Sequence, residues 1–351
     1  MPRTGGGPDM KTIAVFGEIL LRLSPPGKER LFQSFRLEAR FGGAEANVAV
    51  SLTLFGHHVR YISVVPAGEI GDAALAELRR FGVGTDHVVR RGARLGLYFA
   101  ETGADQRPSK VDYDREHSGI ADAAPGLIGW ARALEGTGWF HVSGITPATG
   151  SGAADLTIEA VARAKTMGIT VSVDLNYMSE LWKYSRPAPE VMKEIVKNAD
   201  IVLANEEDCQ KALGIEAGGW TSGSTPDPVA IEDLTRRVMD AFPNLSKIAV
   251  SLRESRSADD NGWSGVLRNR EGFLRGTRYE VRDIVDKIGS GDAFAAGFIH
   301  GLDLFGEDGK ALEFAVAASC LKHSIPGDFN LVSEKEVLAL MAGNRSGRVQ
   351  R

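Results

Sequence analysis

The sequence predicts an α/β protein with a central, mainly parallel sheet, helices on both of its faces, and a small β-sheet lid. Three observations carry that expectation. From Trp139 onward short apolar strands alternate with amphipathic helices, the pattern of a parallel sheet with helical crossovers. Thr12–Phe16 is an uninterrupted apolar run ending at Gly17, as expected of a strand buried on both faces. Residues 18–42 and 95–118 break the alternation with more polar, hairpin-like segments, which read as a sheet outside the main core.

Taken in order, residues 1–10 (MPRTGGGPDM) have no apolar h-region and read as a disordered extension, not a signal peptide. The stretch with Pro25-Pro26-Gly27 cannot be a core element. Glu45–Leu54 has helical spacing, Val59–Val65 is a strand, and Gly71–Phe81 is an amphipathic helix stopped by Gly82. Leu95–Ala100 and Lys110–Tyr113 are strands of the lid, joined by a loop over Gly103–Ser109. Strand Trp139–Val142, helix Ala153–Thr166, strand Thr170–Val173, helix Pro189–Lys197 and strand Ile201–Leu203 follow. Helices at Glu206–Leu213 and Ile231–Phe242 precede a strand at Ile248–Leu252. The core is therefore expected over 11–17, 43–94 and 119–351. In such sheets ligands bind beyond the carboxyl ends of the strands.

Composition narrows the function classes. The 351 residues are 43% hydrophobic and 25% charged with a net charge of −5, so no basic field attracts nucleic acid or anionic lipid. No apolar window reaches the roughly 18–20 residues of a membrane span, and the expected location is the cytoplasm. Cys209 and Cys320 form no CxxC pair and the seven histidines no HExxH, which argues against a zinc site.

The chemistry concentrates in Asp286-Lys287-Ile288-Gly289-Ser290-Gly291-Asp292. A helix starting at these glycines presents unpaired N–H groups that an anion can approach closely. An aspartate in its first turn stands where it can take a proton from an attacking hydroxyl. On spacing alone the stretch is equally a glycine turn whose acid favours the helix dipole. It is neither a Walker A loop nor a GxGxxG fingerprint, and the missing fingerprint argues against a dinucleotide-dependent oxidoreductase.

The segment resembles the second signature of the ribokinase (PfkB) family of sugar kinases, DTxGAGDxF. Asp286, both glycines, Asp292 and Phe294 are kept, whereas Lys287 and Ser290 depart from the commonest residues. The resemblance implies a ribokinase-like fold, Asp292 as catalytic base, Gly289, Ser290 and Gly291 as an anion hole, and ATP with Mg²⁺. Phe41-Gly42-Gly43-Ala44-Glu45-Ala46-Asn47 is similar to the first signature, which implies that Gly42, Gly43 and Asn47 meet the sugar, with Gly43 leaving room for it. The blocks GGAEAN, GLYFAET, VDYDREHSG, HVSGITPA, DLNY and IPGD resemble 2-keto-3-deoxygluconate kinases. That likeness implies phosphorylation to the 6-phosphate, with Tyr98, Tyr113, Arg115, Asn176 and Asp328 on the sugar acid.

Met178 is the notable departure, because the subfamily usually has Arg there. A lost charge-assisted contact costs about 1.5–3 kcal/mol, so affinity is lower, another cation substitutes, or the preferred substrate differs. On the nucleotide side Asn205-Glu206-Glu207-Asp208 is similar to the family's NxxE element, which implies that Asp208 holds Mg²⁺ through water. Ser251, Arg253 and Glu254 stand in the place of a glycine-containing ATP segment, and Asp286 completes the nucleotide side. Other readings are a sister kinase for 2-keto-3-deoxygalactonate, fructose or another sugar, or an inactive sugar-acid-binding regulator. The exposed lid edge predicts a homo-oligomer formed through the lid.

Overall fold

The apolar run that opens the sequence becomes β1 (Thr12–Phe16), in the middle of the main sheet of a computed structural model that describes residues 12–205, 207–216 and 227–344. Residues 1–10, expected to be a disordered extension, lie outside the described residues. After β1 come β2 (Leu20–Ser24), β3 (Glu38–Gly42), α1 (Ala44–Leu54), β4 (Val59–Val65), α2 (Glu69–Arg80) and β5 (Gly84–Arg90). Then follow β6 (Leu97–Glu101), β7 (Lys110–Asp114), α3 (Trp130–Ala133), β8 (Thr137–Ser143), α4 (Ile145–Ala148) and α5 (Ser151–Thr166). The next elements are β9 (Thr170–Asp174), α6 (Ala188–Val196), β10 (Ile201–Asn205), α7 (Asp208–Leu213) and α8 (Pro228–Ala241). The chain closes with β11 (Lys247–Ser255), β12 (Asp260–Asn269), β13 (Phe273–Arg275), β14 (Tyr279–Arg282), α9 (Ser290–Phe305), α10 (Asp308–Lys322) and α11 (Glu334–Met341).

The main sheet runs β13-β12-β11-β10-β9-β8-β1-β4-β5, with β14 also paired to β12. Every pair from β5 to β11 is parallel. The strands beyond β11 are antiparallel, an extension that the alternating pattern does not announce. Alternation along the strands divides the core into two layers. On β1, Ala14 and Phe16 pack with residues of α5, α6 and α8, whereas Ile13 and Val15 pack with residues of α1, α9 and α10.

The second sheet has the order β3-β2-β6-β7. Its outer pairs are antiparallel and its inner pair, β2 with β6, is parallel. The β7 edge is largely exposed. Among the described residues no helix is long and apolar enough to cross a membrane.

Candidate active site

Gly289 caps α9 in the left-handed region at φ 85°, and a Cβ there would lie 2.2 Å from the Asp328 carbonyl oxygen. Only glycine satisfies both demands. The N–H of Ser290 bonds to the Lys287 carbonyl and that of Ala293 to the Gly289 carbonyl. Between them, the N–H groups of Gly291 and Asp292 have no hydrogen-bond partner among the described residues. A Cβ on Gly291 would meet nothing within 4 Å. The helix start thus presents two donors beside open space, which suits an anion.

Asp292 lies in the first turn of α9, and its Oδ2 accepts from Asn47 Nδ2 at 2.7 Å. Burial pushes its pKa up to about 7; the Asn47 bond opposes that, Glu45 and Asp328 add to it, and Lys322 opposes it. Such a carboxyl can take or give a proton near neutral pH. Asn47 stands on α1, which starts from Gly43 at φ 146°. A Cβ on Gly43 would come within 2.1 Å of the Glu18 carbonyl oxygen, and one on Gly42 within 2.1 Å of Asp328 Oδ2. These glycines let the lid and the 328 loop close against α1. In the Cβ direction Gly43 is closed off by protein, whereas Gly291 opens onto free space.

The lid is joined to the helix start by a buried ionic cluster. Arg22 on β2 lies 2.8 Å from both Asp286 and Asp328. Asp328 also accepts from the Tyr98 hydroxyl, and Asp286 accepts from the N–H groups of Ile288 and Gly327. Tyr98 and Asp328, expected at the sugar, are therefore already bonded to each other. Arg115 likewise is buried in an ion pair with Glu18 at 2.6 Å, its guanidinium 5.7 Å from the Tyr113 ring centre.

A cavity of about 370 Å³ lies between β7 and the turn after β9, with Tyr113, Arg115, Thr149, Glu180, Lys183 and Tyr184 in its wall. At the start of that turn Asn176 has a positive φ of 32°, and Met178 is 38% exposed. Among the described residues the Lys183 ammonium is paired only with Glu180, at 3.9 Å, and both are largely exposed. Of the two cations in the wall, Arg115 is held by Glu18, whereas Lys183 stands exposed on the turn that carries Met178.

The model of the pfkB family carbohydrate kinases matches residues 10–333. The chain belongs to the PfkB family of carbohydrate kinases. A relative from Haloferax volcanii named 2-dehydro-3-deoxygalactonokinase is 31% identical, over 95% of this chain and 98% of its own. The 2-dehydro-3-deoxygluconokinase of Bacillus subtilis is 28% identical, over 94% and 95%. A crystal structure of the 2-dehydro-3-deoxygluconokinase of Thermotoga maritima superposes with a TM-score of 0.88 at 42% identity, over 95% of this chain and all of that one. The ribokinase-like arrangement of parallel sheet, flanking helices and separate small sheet is that of this PfkB family.

In this PfkB kinase the nucleotide-side candidates divide. Asn205, at the end of β10, is the register partner of Ser251 in the middle of β11. The Asn205 side chain accepts from the N–H groups of Glu207 and Asp208, opening α7. Glu206 lies outside the described residues. Asp208 is buried, and its two oxygens accept from the N–H groups of Tyr177 and Asn205, tying the ends of β9 and β10 together. Burial pushes its pKa to about 6. Each oxygen keeps a second lone pair, which suits contact with a hydrated Mg²⁺ through water. Among the described residues no group of three acids, histidines or cysteines could cage a metal. Arg253 and Glu254 sit within β11, not in a loop, and Glu254 is bonded to Arg278 at 2.6 Å. The segment is strand because nine consecutive residues pair with β12.

Sequence reading missed Arg22, Glu45 and Lys322, because charged side chains are ordinarily exposed. Glu45 is fully buried, accepting from Ser143 and Thr146. Its spacing of two from Asn47, inside an otherwise apolar helix start, was the available signal.

Proposed function

We propose that this PfkB kinase transfers the γ-phosphoryl group of ATP to the 6-hydroxyl of 2-keto-3-deoxygluconate. Asp292 takes the hydroxyl proton as the oxygen bonds to the γ-phosphorus and the bond to the ADP oxygen breaks. The N–H groups at Gly291 and Asp292, with Gly289 and Ser290 shaping the turn, neutralise charge on the transferred group. Mg²⁺, when bound, would offset phosphate charge, with Asp208 reached through water and Asn205, Ser251, Arg253 and Asp286 on the nucleotide side. Asn47 orients the base. Gly42, Gly43, Tyr98, Tyr113, Arg115, Asn176, Met178 and Asp328 frame the sugar.

The observation that carries this reading is the buried Asn47–Asp292 pair beside two unpaired N–H groups and open space. The gluconate assignment draws support from the 42% identical Thermotoga maritima kinase. A second reading, 2-keto-3-deoxygalactonate as substrate, is favoured by the Haloferax volcanii relative. ADP release measured over both sugar acids and neutral sugars decides between them, with Asp292→Asn alongside. No turnover on any sugar, or full activity of the Asn variant, would sink the mechanism.

A further inference from the structure

Lys322, the last residue of α10, is fully buried. Its Nζ donates to the Ile325 carbonyl at 3.1 Å and to the Asp286 carbonyl at 3.4 Å. Its Cε would lie 3.4 Å from a Cβ built on Gly289, so the ammonium sits directly behind the turn that opens α9. We propose that Lys322 is a positioning residue for phosphoryl transfer: its ammonium holds that turn in shape and offsets the carboxylates crowded around Asp292. The proposal rests on the reading of Asp292 as the base.

Beyond those two bonds, it is the charge that Lys322 adds. The two segments it bridges are joined without it. The N–H of Gly327 bonds to Asp286 Oδ2 at 3.0 Å, the N–H of Val285 bonds to the His323 carbonyl at 2.9 Å, and Arg22 spans Asp286 and Asp328. Stripping water from an ammonium is strongly unfavourable, and an apolar side chain of similar volume generally serves a purely structural position as well or better. Two bonds to neutral carbonyls are poor compensation. What an apolar replacement cannot supply is a positive field.

That field falls on a site short of positive charge. Asp292 is faced by Glu45 and Asn47 from α1, Asp174 from the end of β9, Tyr113 from β7 and Asp328 from the loop after α10. Lys322 itself is faced by Asp286, Asp328, Asp292 and Arg22, and burial lowers its pKa to about 8. Nucleotide phosphates arriving at Gly291 add further negative charge. Lys322 opposes that sum, and with it the tendency of Asp292 to stay protonated.

The test compares wild type with Lys322→Met, Lys322→Ala and Asp292→Asn, on a sugar acid that the wild type turns over. Lys322→Met is expected to lower kcat about 10- to 100-fold with the sugar KM within about twofold, and to move the acid limb of the kcat profile to higher pH. Its melting temperature is expected to hold or rise. Ammonium or methylammonium chloride is expected to restore part of the Lys322→Ala activity, and sodium chloride at equal ionic strength none. A wild-type kcat and pH profile in Lys322→Met, with Asp292→Asn dead, would overturn this inference and leave the base in place. Loss of activity with no shifted limb and no rescue, or failure of Lys322→Met to fold, would make Lys322 a structural residue and also overturn it. A wild type inactive on every sugar would remove both readings together.

Discussion

Asn47 and Asp292 lie 245 residues apart in the chain and 2.7 Å apart in space. The amide N–H favours the ionised carboxylate, so it holds Asp292 below the value that burial alone would set. Asn47→Leu keeps the volume and removes the donor. Its acid limb in kcat is expected to move above the wild-type limb near pH 7, and kcat at neutral pH to fall about 10-fold or more. A pH–rate profile checks both. An unmoved limb would mean that the pair does not set the base.

The stability of Asp292→Asn should depend on pH with a defined sign. The native carboxyl keeps its proton up to about pH 7, whereas an unperturbed one releases it near 3.8. Between those values the native state binds more protons, so wild-type stability from this group falls as pH rises. The Asn variant has no such loss. Its melting temperature is expected to gain on the wild type from about pH 4 to 7 and to run parallel above that. Thermal melts across the range measure the gap.

Two glycines separated by a single residue are expected to fail differently. At Gly289 a side chain meets both a positive φ and the Asp328 carbonyl. Gly289→Ala should therefore lower the melting temperature, losing about 1–3 kcal/mol of stability to the backbone strain and more to the contact. At Gly291 a methyl meets open space, so Gly291→Ala should melt like the wild type yet lose ATP turnover. Melts and ADP release on the same samples distinguish the two.

Arg22 neutralises two carboxylates at once. Arg22→Met leaves Asp286 and Asp328 buried without their cation, which is expected to cost about 3–5 kcal/mol. The loss should be smaller at acidic pH, because burial raises the pKa of Asp328 and lets it take a proton there. Urea midpoints at two pH values check the size and the sign.

The acid end of the sugar is the place to look for specificity. Lys183 is largely exposed, so its charge is screened. Lys183→Ala is expected to raise KM for sugar acids about 2- to 5-fold and to leave neutral sugars alone. Met178→Arg, on the same turn, is expected to lower it about 10-fold. Equal shifts for acids and neutral sugars would detach both positions from the carboxylate.

The parallel half of the fold was legible because its strands and helices carry different periods, and the Gly289–Asp292 turn because its residue types are specialised. What stayed hidden has physical causes. α10 is buried over most of its surface, with Gly297 and Gly301 of α9 so close that a Cβ would lie 2.9 and 2.7 Å from the α-carbons of Ala315 and Ala311. A helix covered on several sides shows no polar stripe to mark its period. β5 is a half-exposed edge strand without an apolar run. Lys322 and Arg22 read as surface charges until the loops that enclose them are in place. The sequence marks Tyr98, Arg115 and Asp328 as sugar-side candidates but not their internal partners Arg22 and Glu18, since those contacts join residues 306 and 97 positions apart.

The long separation of Asn47 from Asp292 also bears on synthesis. At roughly 5–20 residues per second, a ribosome needs about 12–50 s to travel between them. During that interval α1 waits without α9, and β1 waits for β8 on one side of it. A nascent or truncated product that stops short of Asp292 therefore contains the Asn47 amide but not the carboxylate that accepts from it. On the proposed mechanism such a fragment spends no ATP before the molecule around it is built.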